Sequence, residues 1–151
     1  MLSLQFEERR VRKTYLAVVQ GEVRKNGKVD AALREFGSGR IGVDPSGKPS
    51  ATRYWVRLNY PDATLLRVEP LTGRRHQIRA HLYHLGHPIL GDTLYGKERP
   101  VGGAPRLMLH SHDLAFKHPS GDLVKLSVEP GDDFLEVLKK LESPSPKQKS
   151  H

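Results

Sequence analysis

The stretch Thr52-Arg53-Tyr54-Trp55-Val56-Arg57-Leu58-Asn59-Tyr60-Pro61-Asp62-Ala63-Thr64-Leu65-Leu66-Arg67-Val68-Glu69 decides the fold. Thr52, Tyr54, Val56 and Leu58 alternate with Arg53, Trp55, Arg57 and Asn59, the two-residue period of a strand with unlike faces. Pro61-Asp62 marks a turn, and Thr64 to Glu69 returns as the second arm of a hairpin. The period then changes. Ile78, Leu82 and Leu85 stand at i, i+4 and i+7, which predicts a helix from Arg75 to Leu85 stopped by Gly86.

Upstream, Tyr15-Leu16-Ala17-Val18-Val19 predicts a strand ended by Gly21. The mixed apolar and charged opening, Leu2 to Arg10, reads as the tail of a helix whose earlier part is missing. Between Arg24 and Lys48 a weak strand is expected near Val29–Leu33, followed by a mobile loop rich in Gly and Lys. Downstream, a turn-rich segment runs from Gly91 to Arg106. Two further strands are expected at Leu107–Phe116 and Leu123–Val128, then a short helix from Phe134 to Leu141. Strands joined by hairpins dominate, so the expected class is α+β, a mixed, largely antiparallel sheet with few helices. One domain over residues 1–141 and a disordered, solvated tail over 142–151 account for the chain.

Composition narrows the function. Among 151 residues, 25 Lys and Arg face 17 Asp and Glu, a net charge of +8 that points to a polyanionic partner, most often nucleic acid. With no Cys, the chain has no disulfide, no thiol nucleophile and no Cys-ligated metal. No signal-peptide pattern or membrane-length apolar run is visible, so no membrane association is expected and the cytoplasm is the default location.

The densest chemical signal is Leu71-Thr72-Gly73-Arg74-Arg75-His76-Gln77-Ile78-Arg79-Ala80-His81, where a strand hands over to a helix. A helix N-terminus offers unpaired N–H groups and a positive dipole end. Arg74, Arg75 and Arg79 add donors shaped for phosphate or carboxylate. This reads as an anion site, for a nucleic-acid backbone or a buried carboxylate; the plainer alternative is a solvated basic helix end. Arg79, about 100° round the helix from Ile78, falls at the border of the buried face and needs a partner. In Gly86 to Gly96, three Gly and one Pro describe a sharply folded loop, in which Asp92 is expected to accept backbone N–H bonds. Tyr15 is either a core residue or a platform for a base. His81, His84 and His87 invite a metal reading, but Gly86 intervenes and no adjacent carboxylate completes a zincin pattern. No metal site is assigned, and polar or stacking histidines on an RNA-facing helix are expected instead.

These stretches together resemble the RluA-type RNA pseudouridine synthases. The family shows a Lys-x-Tyr-x-Ala strand ending in Gly, here Lys13 to Gly21. It also shows Thr-Gly-Arg-x-His-Gln-Ile-Arg, here Thr72 to Arg79, and Gly-His-Pro-Ile-x-Gly-Asp followed by Tyr-Gly, here Gly86 to Gly96. Leu109 to His112 and Leu114 to Pro119 resemble a late strand of the same fold. The resemblance implies a partial catalytic domain of that fold and isomerisation of uridine to pseudouridine in rRNA or tRNA, without cofactor or metal. It implies catalytic roles for Tyr15, which would pack on the target base, and Arg79, which would pair with the nucleophilic Asp. Arg74, Arg75, His76 and Gln77 are expected to contact RNA. The family's nucleophile lies in a His-Arg-Leu-Asp-x-x-Thr-Ser-Gly motif, and no Asp of this chain stands in that context. A missing N-terminal segment or a second chain would have to supply it. The alternatives are a non-catalytic RNA-binding module and a structural fragment that dimerises through an exposed sheet edge.

Overall fold

The computed structural model describes residues 12–95, 104, 106–117, 120–121 and 123–142. The expected opening helix tail, part of the turn-rich segment and the tail beyond Glu142 lie outside the described residues. Among the described residues, eight strands and two helices follow in the order β1 (Arg12–Gln20), β2 (Gly27–Asp30), β3 (Leu33–Glu35), β4 (Ile41–Val43), β5 (Ala51–Tyr60), β6 (Ala63–Pro70), α1 (Gln77–Leu85), β7 (Leu109–Lys117), β8 (Leu123–Ser127) and α2 (Asp132–Glu142). Six strands form one sheet in the order β2-β5-β6-β1-β7-β8, and β3 pairs with β4 in a small ribbon. Every strand pairing among the described residues is antiparallel.

The hairpin lies where the alternation places it, with Tyr54 opposite Val68 and Val56 opposite Leu66. β6 is also flanked by β1, so Leu65, Leu66 and Val68 are buried. Register assigns the faces. Thr52 and Tyr54 share one side with Val68 and its partner Tyr15, and Leu16 points to the other. The two helices take opposite sides. Helix α1 bonds to Thr52 through Gln77 and His81. Phe134 of α2 meets the ring of His110, the β7 partner of Leu16.

Four expectations are revised. The weak strand near Val29–Leu33 is two strands, β2 on the main sheet and β3 in the ribbon. The expected mobile loop is the β3–β4 hairpin, closed by Phe36 N–H to Arg40 O at 2.9 Å and Gly39 N–H to Phe36 O at 2.8 Å. Helix α1 begins at Gln77 rather than Arg75, because the chain turns at His76. Helix α2 begins at Asp132, where Asp132 and Asp133 oppose the positive end of its dipole, and runs through Glu142.

Polar bonds fasten α1 to the sheet. Gln77 spends its whole amide: Oε1 accepts from the Thr72 hydroxyl (2.6 Å) and the Arg74 amide (3.0 Å), and Nε2 donates to Ala51 O (2.8 Å) and Thr52 Oγ1 (2.9 Å). His81, fully buried, places Nε2 at 2.8 Å from Ala31 O and Nδ1 at 2.7 Å from Thr52 Oγ1. A carbonyl only accepts, so the proton sits on Nε2 and Nδ1 accepts from the threonine. His81 is therefore a core residue rather than one facing RNA.

Two predictions follow from the packing. Phe134 is fully buried and anchors α2, while Leu135 beside it is half exposed. Phe134→Ala should cost about 3 kcal/mol or more in urea unfolding, and Leu135→Ala about 0.5 kcal/mol or less; equal losses would contradict the placement of α2. Burial holds the His81 pKa below its usual value. The unfolded chain then takes up the proton first as pH falls, so stability drops below about pH 6.5. The urea midpoint should be lower at mildly acidic than at mildly basic pH, by a margin that shrinks in His81→Asn. An unchanged margin would show that His81 does not carry it.

Candidate active site

A cleft of about 450 Å3 opens on the α1 side of the sheet, lined among others by Lys13, Tyr15, Thr72, Arg74, His76 and Arg79. Tyr15 and Arg79, far apart in sequence, thus face one cavity. A β-bulge between Thr14 and Tyr15 in the β1–β7 pairing re-aims the strand at this point. Burial raises the Tyr15 pKa, which keeps its hydroxyl protonated at neutral pH.

Arg79 has its partner within the chain. Nε lies 3.0 Å from Asp92 Oδ2 and Nη2 lies 2.9 Å from Oδ1, a two-pronged pair. The Asp92 side chain is wholly buried and that of Arg79 is 21% exposed. Asp92 Oδ1 also accepts the amides of Leu94 (3.0 Å) and Tyr95 (3.1 Å), the loop role expected of it. Burial alone would raise the Asp92 pKa; the Arg79 guanidinium and these two amides outweigh it and hold the carboxyl below its usual range. The loop can reach Arg79 only because Gly91 (φ 78°) passes against the Arg106 carbonyl, where any Cβ would collide. Arg79 uses two of its five N–H groups here, and Nη1 makes no hydrogen bond among the described residues.

Tyr95, almost completely buried, is the second support. Its ring lies 5.2 Å from the Arg79 guanidinium and 4.7 Å from that of Arg40, which also stacks on Tyr83 at 4.9 Å. Its hydroxyl accepts the Ile41 amide at 3.0 Å and meets His76 Nδ1 at 3.1 Å. One side chain therefore joins the ribbon, the start of α1 and the Asp92 loop. His76 holds a left-handed backbone (φ 54°, ψ 22°), the one non-Gly residue with positive φ among the described residues. Such a conformation is strained and persists where surrounding contacts fix it. Burial, followed by Arg79 and Arg75, pushes the His76 pKa down, so its ring is neutral at pH 7.

The expected RNA contacts divide. Arg74 donates from Nε (3.2 Å) and Nη2 (3.0 Å) to Pro49 O and forms part of the cleft wall. Arg75 projects to solvent, with Glu35 3.2 Å away and both side chains more than half exposed. His76 lines the cleft. Gln77 also lines the cleft, yet it is 4% exposed and every amide group is bonded within the protein, where it positions the turn. Asp92 and Tyr95 are the residues sequence reasoning left without a site role. Their sequence signal was the glycine-bounded loop; what they hold becomes visible only in three dimensions. Among the described residues no Asp or Glu lines the cleft.

The family model described as RNA pseudouridylate synthase matches residues 1–84. The chain is 38% identical to ribosomal large subunit pseudouridine synthase C of Vibrio vulnificus, over 93% of its own length and 47% of that protein. It is 37% identical to ribosomal large subunit pseudouridine synthase D of Nitrosomonas europaea, over 91% of its own length and 42% of that protein. It thus spans about half the length of the curated relatives it matches. Among solved structures, human RNA pseudouridylate synthase domain containing 1 superposes with a TM-score of 0.74 at 31% identity, over 85% of this chain and 58% of that one. The fold, the Thr-Gly-Arg turn and the family match agree, and the chain belongs to the RNA pseudouridylate synthase family.

Proposed function

We propose that this chain forms the uridine-holding part of an RNA pseudouridine synthase, isomerising uridine to pseudouridine in RNA. The observation that carries the reading is that Tyr15 and Arg79 line one cleft whose rim carries Arg74 and His76. The reaction conserves every atom: the N1–C1′ bond breaks, C5–C1′ forms, C5 loses a proton and N1 gains one. A uridine has to leave its stack to enter such a cleft. Tyr15 offers an aromatic face for the base, and its protonated hydroxyl is a hydrogen-bond donor rather than a base. Arg79, held from behind by Asp92 and from beside by Tyr95, offers Nη1 to an incoming carboxylate or phosphate. Arg74 and Arg75 would take backbone phosphates. The relatives' names favour rRNA as the substrate over tRNA, and the cytoplasm is the compartment this reading assigns.

The nucleophilic carboxylate is proposed to come from a segment or chain beyond this sequence, because no Asp here stands in the family's motif context and Asp92, beside Arg79, has both oxygens committed. The same commitment favours one second reading, an RNA-binding module without catalysis.

The first of three outcomes separates these readings, and the other two test the RNA surface and the support of Arg79. The chain alone should convert no uridine in bulk RNA, and conversion should appear when the Asp-bearing segment of a relative is supplied. Conversion by the chain alone would move the nucleophile to one of its own carboxylates; no conversion in either case would favour the binding module. RNA affinity should fall steeply with salt, and Arg74→Ala should lower it and flatten the salt slope. An affinity indifferent to salt would remove the phosphate-contacting surface. Asp92→Asn leaves Arg79 without its buried countercharge and should cost about 3 kcal/mol at neutral pH. The wild-type share of that stability is present above about pH 3.9 and is lost as pH falls through the lower folded value. A neutral effect of Asp92→Asn would show that Arg79 is positioned by something else.

A further inference from the structure

A second cleft, of about 430 Å3, lies between the β3–β4 ribbon and the turn at Gly73 to Arg75. It meets the first at Gly73 and Arg74, which line both. Among the described residues its walls carry four cations, Arg34, Lys48, Arg74 and Arg75, against one carboxylate, Glu35. Arg75 and Glu35 face each other at 3.2 Å with both side chains more than half exposed, a pairing that holds little energy and yields readily to a better anion. Arg34 leans on Asp44 at 3.1 Å and over the Phe36 ring at 4.9 Å. Lys48 is exposed and makes no ion pair among the described residues.

The walls are held in place. Lys48 exchanges both backbone hydrogen bonds with Leu33, at 2.8 and 2.9 Å. Gly47 packs so closely on the Leu33 carbonyl that no side chain fits there. Pro49 O holds Arg74, and Arg40 ties the ribbon to Leu94 O at 2.6 Å. The two clefts thus adjoin across a held, positively charged wall, with Arg74 as the divider between them.

We propose that this second cleft holds a backbone phosphate of the same RNA strand, next to the nucleotide in the first cleft, with Lys48 and Arg75 as its ligands. The proposal rests on reading the first cleft as a uridine site. Glu35 is released from Arg75 when the phosphate arrives, so it acts as an electrostatic placeholder. The ribbon then sets the direction in which the strand leaves the site.

The test is fluorescence anisotropy of a labelled oligouridylate octanucleotide with the full chain, across a salt series. Lys48→Ala should weaken binding several-fold and reduce the slope of log affinity against log salt by about 0.7, the value for one phosphate on a single strand. Lys48→Arg should keep the slope. Lys139→Ala, which removes an exposed charge from α2 on the other side of the sheet, should leave affinity within about twofold. Glu35→Gln should tighten binding more than Glu22→Gln, which removes an equal charge elsewhere. If Lys48→Ala behaves like Lys139→Ala while Arg74→Ala still weakens binding, the second cleft carries no phosphate and the first stands. If the unaltered chain binds no oligouridylate at any salt, the uridine reading falls and this inference with it.

Discussion

The bidentate pair of Arg79 with Asp92 is the interaction on which the site depends. A guanidinium at the border of a helix's buried face is costly unless a carboxylate meets it with good geometry. Asp92 does so with distances of 2.9 and 3.0 Å, and two backbone amides add their bonds to its Oδ1. The same carboxylate shapes the loop that carries Tyr95, whose ring and hydroxyl support Arg79, Arg40, His76 and Ile41. The Asp92 loop, the start of α1 and the ribbon are therefore not independent parts. Loosening one loosens the walls of both clefts.

This arrangement separates holding from acting. Asp92, Tyr95 and Gln77 are buried, and their polar atoms are bonded within the protein. Tyr15, Arg74 and His76 present part of each side chain to the cleft, and Arg79 presents its remaining N–H face. Rigid support behind and open donors in front is the condition for recognising a flexible strand without spending binding energy on ordering the protein. It also explains why His76 tolerates a left-handed backbone: Tyr95 holds its ring, and the strain places that ring on the rim.

Much of the fold was legible because its signals are local. Alternation from Thr52 to Leu58 and the turn at Pro61-Asp62 marked the hairpin, and the spacing of Ile78, Leu82 and Leu85 marked α1. The ribbon was not legible, because strands of three residues around Gly37 and Gly39 carry too short a period to read. The site was legible as a place rather than as a circuit. Tyr15 and Arg79 stood in motifs, and the requirement that a border arginine find a partner held. Which carboxylate it finds depends on a loop closing across thirteen residues. Gln77 shows a related limit: an amide in a basic run looks like a ligand, and its bonds to Thr72, Arg74, Ala51 and Thr52 become visible only in the fold. His81 looked like a surface histidine because Thr52 and Ala31, which bury and bond it, lie far away in sequence.

The role proposed for the cleft between β1 and α1 is to receive a uracil base from RNA. The most direct measurement is a structure of the chain with a uridine-containing oligonucleotide bound. The expected result is a uracil ring packed on Tyr15, with a negatively charged group or base edge at Arg79 Nη1. An oligonucleotide lying across the α2 side of the sheet, with the Tyr15 cleft empty, would contradict it.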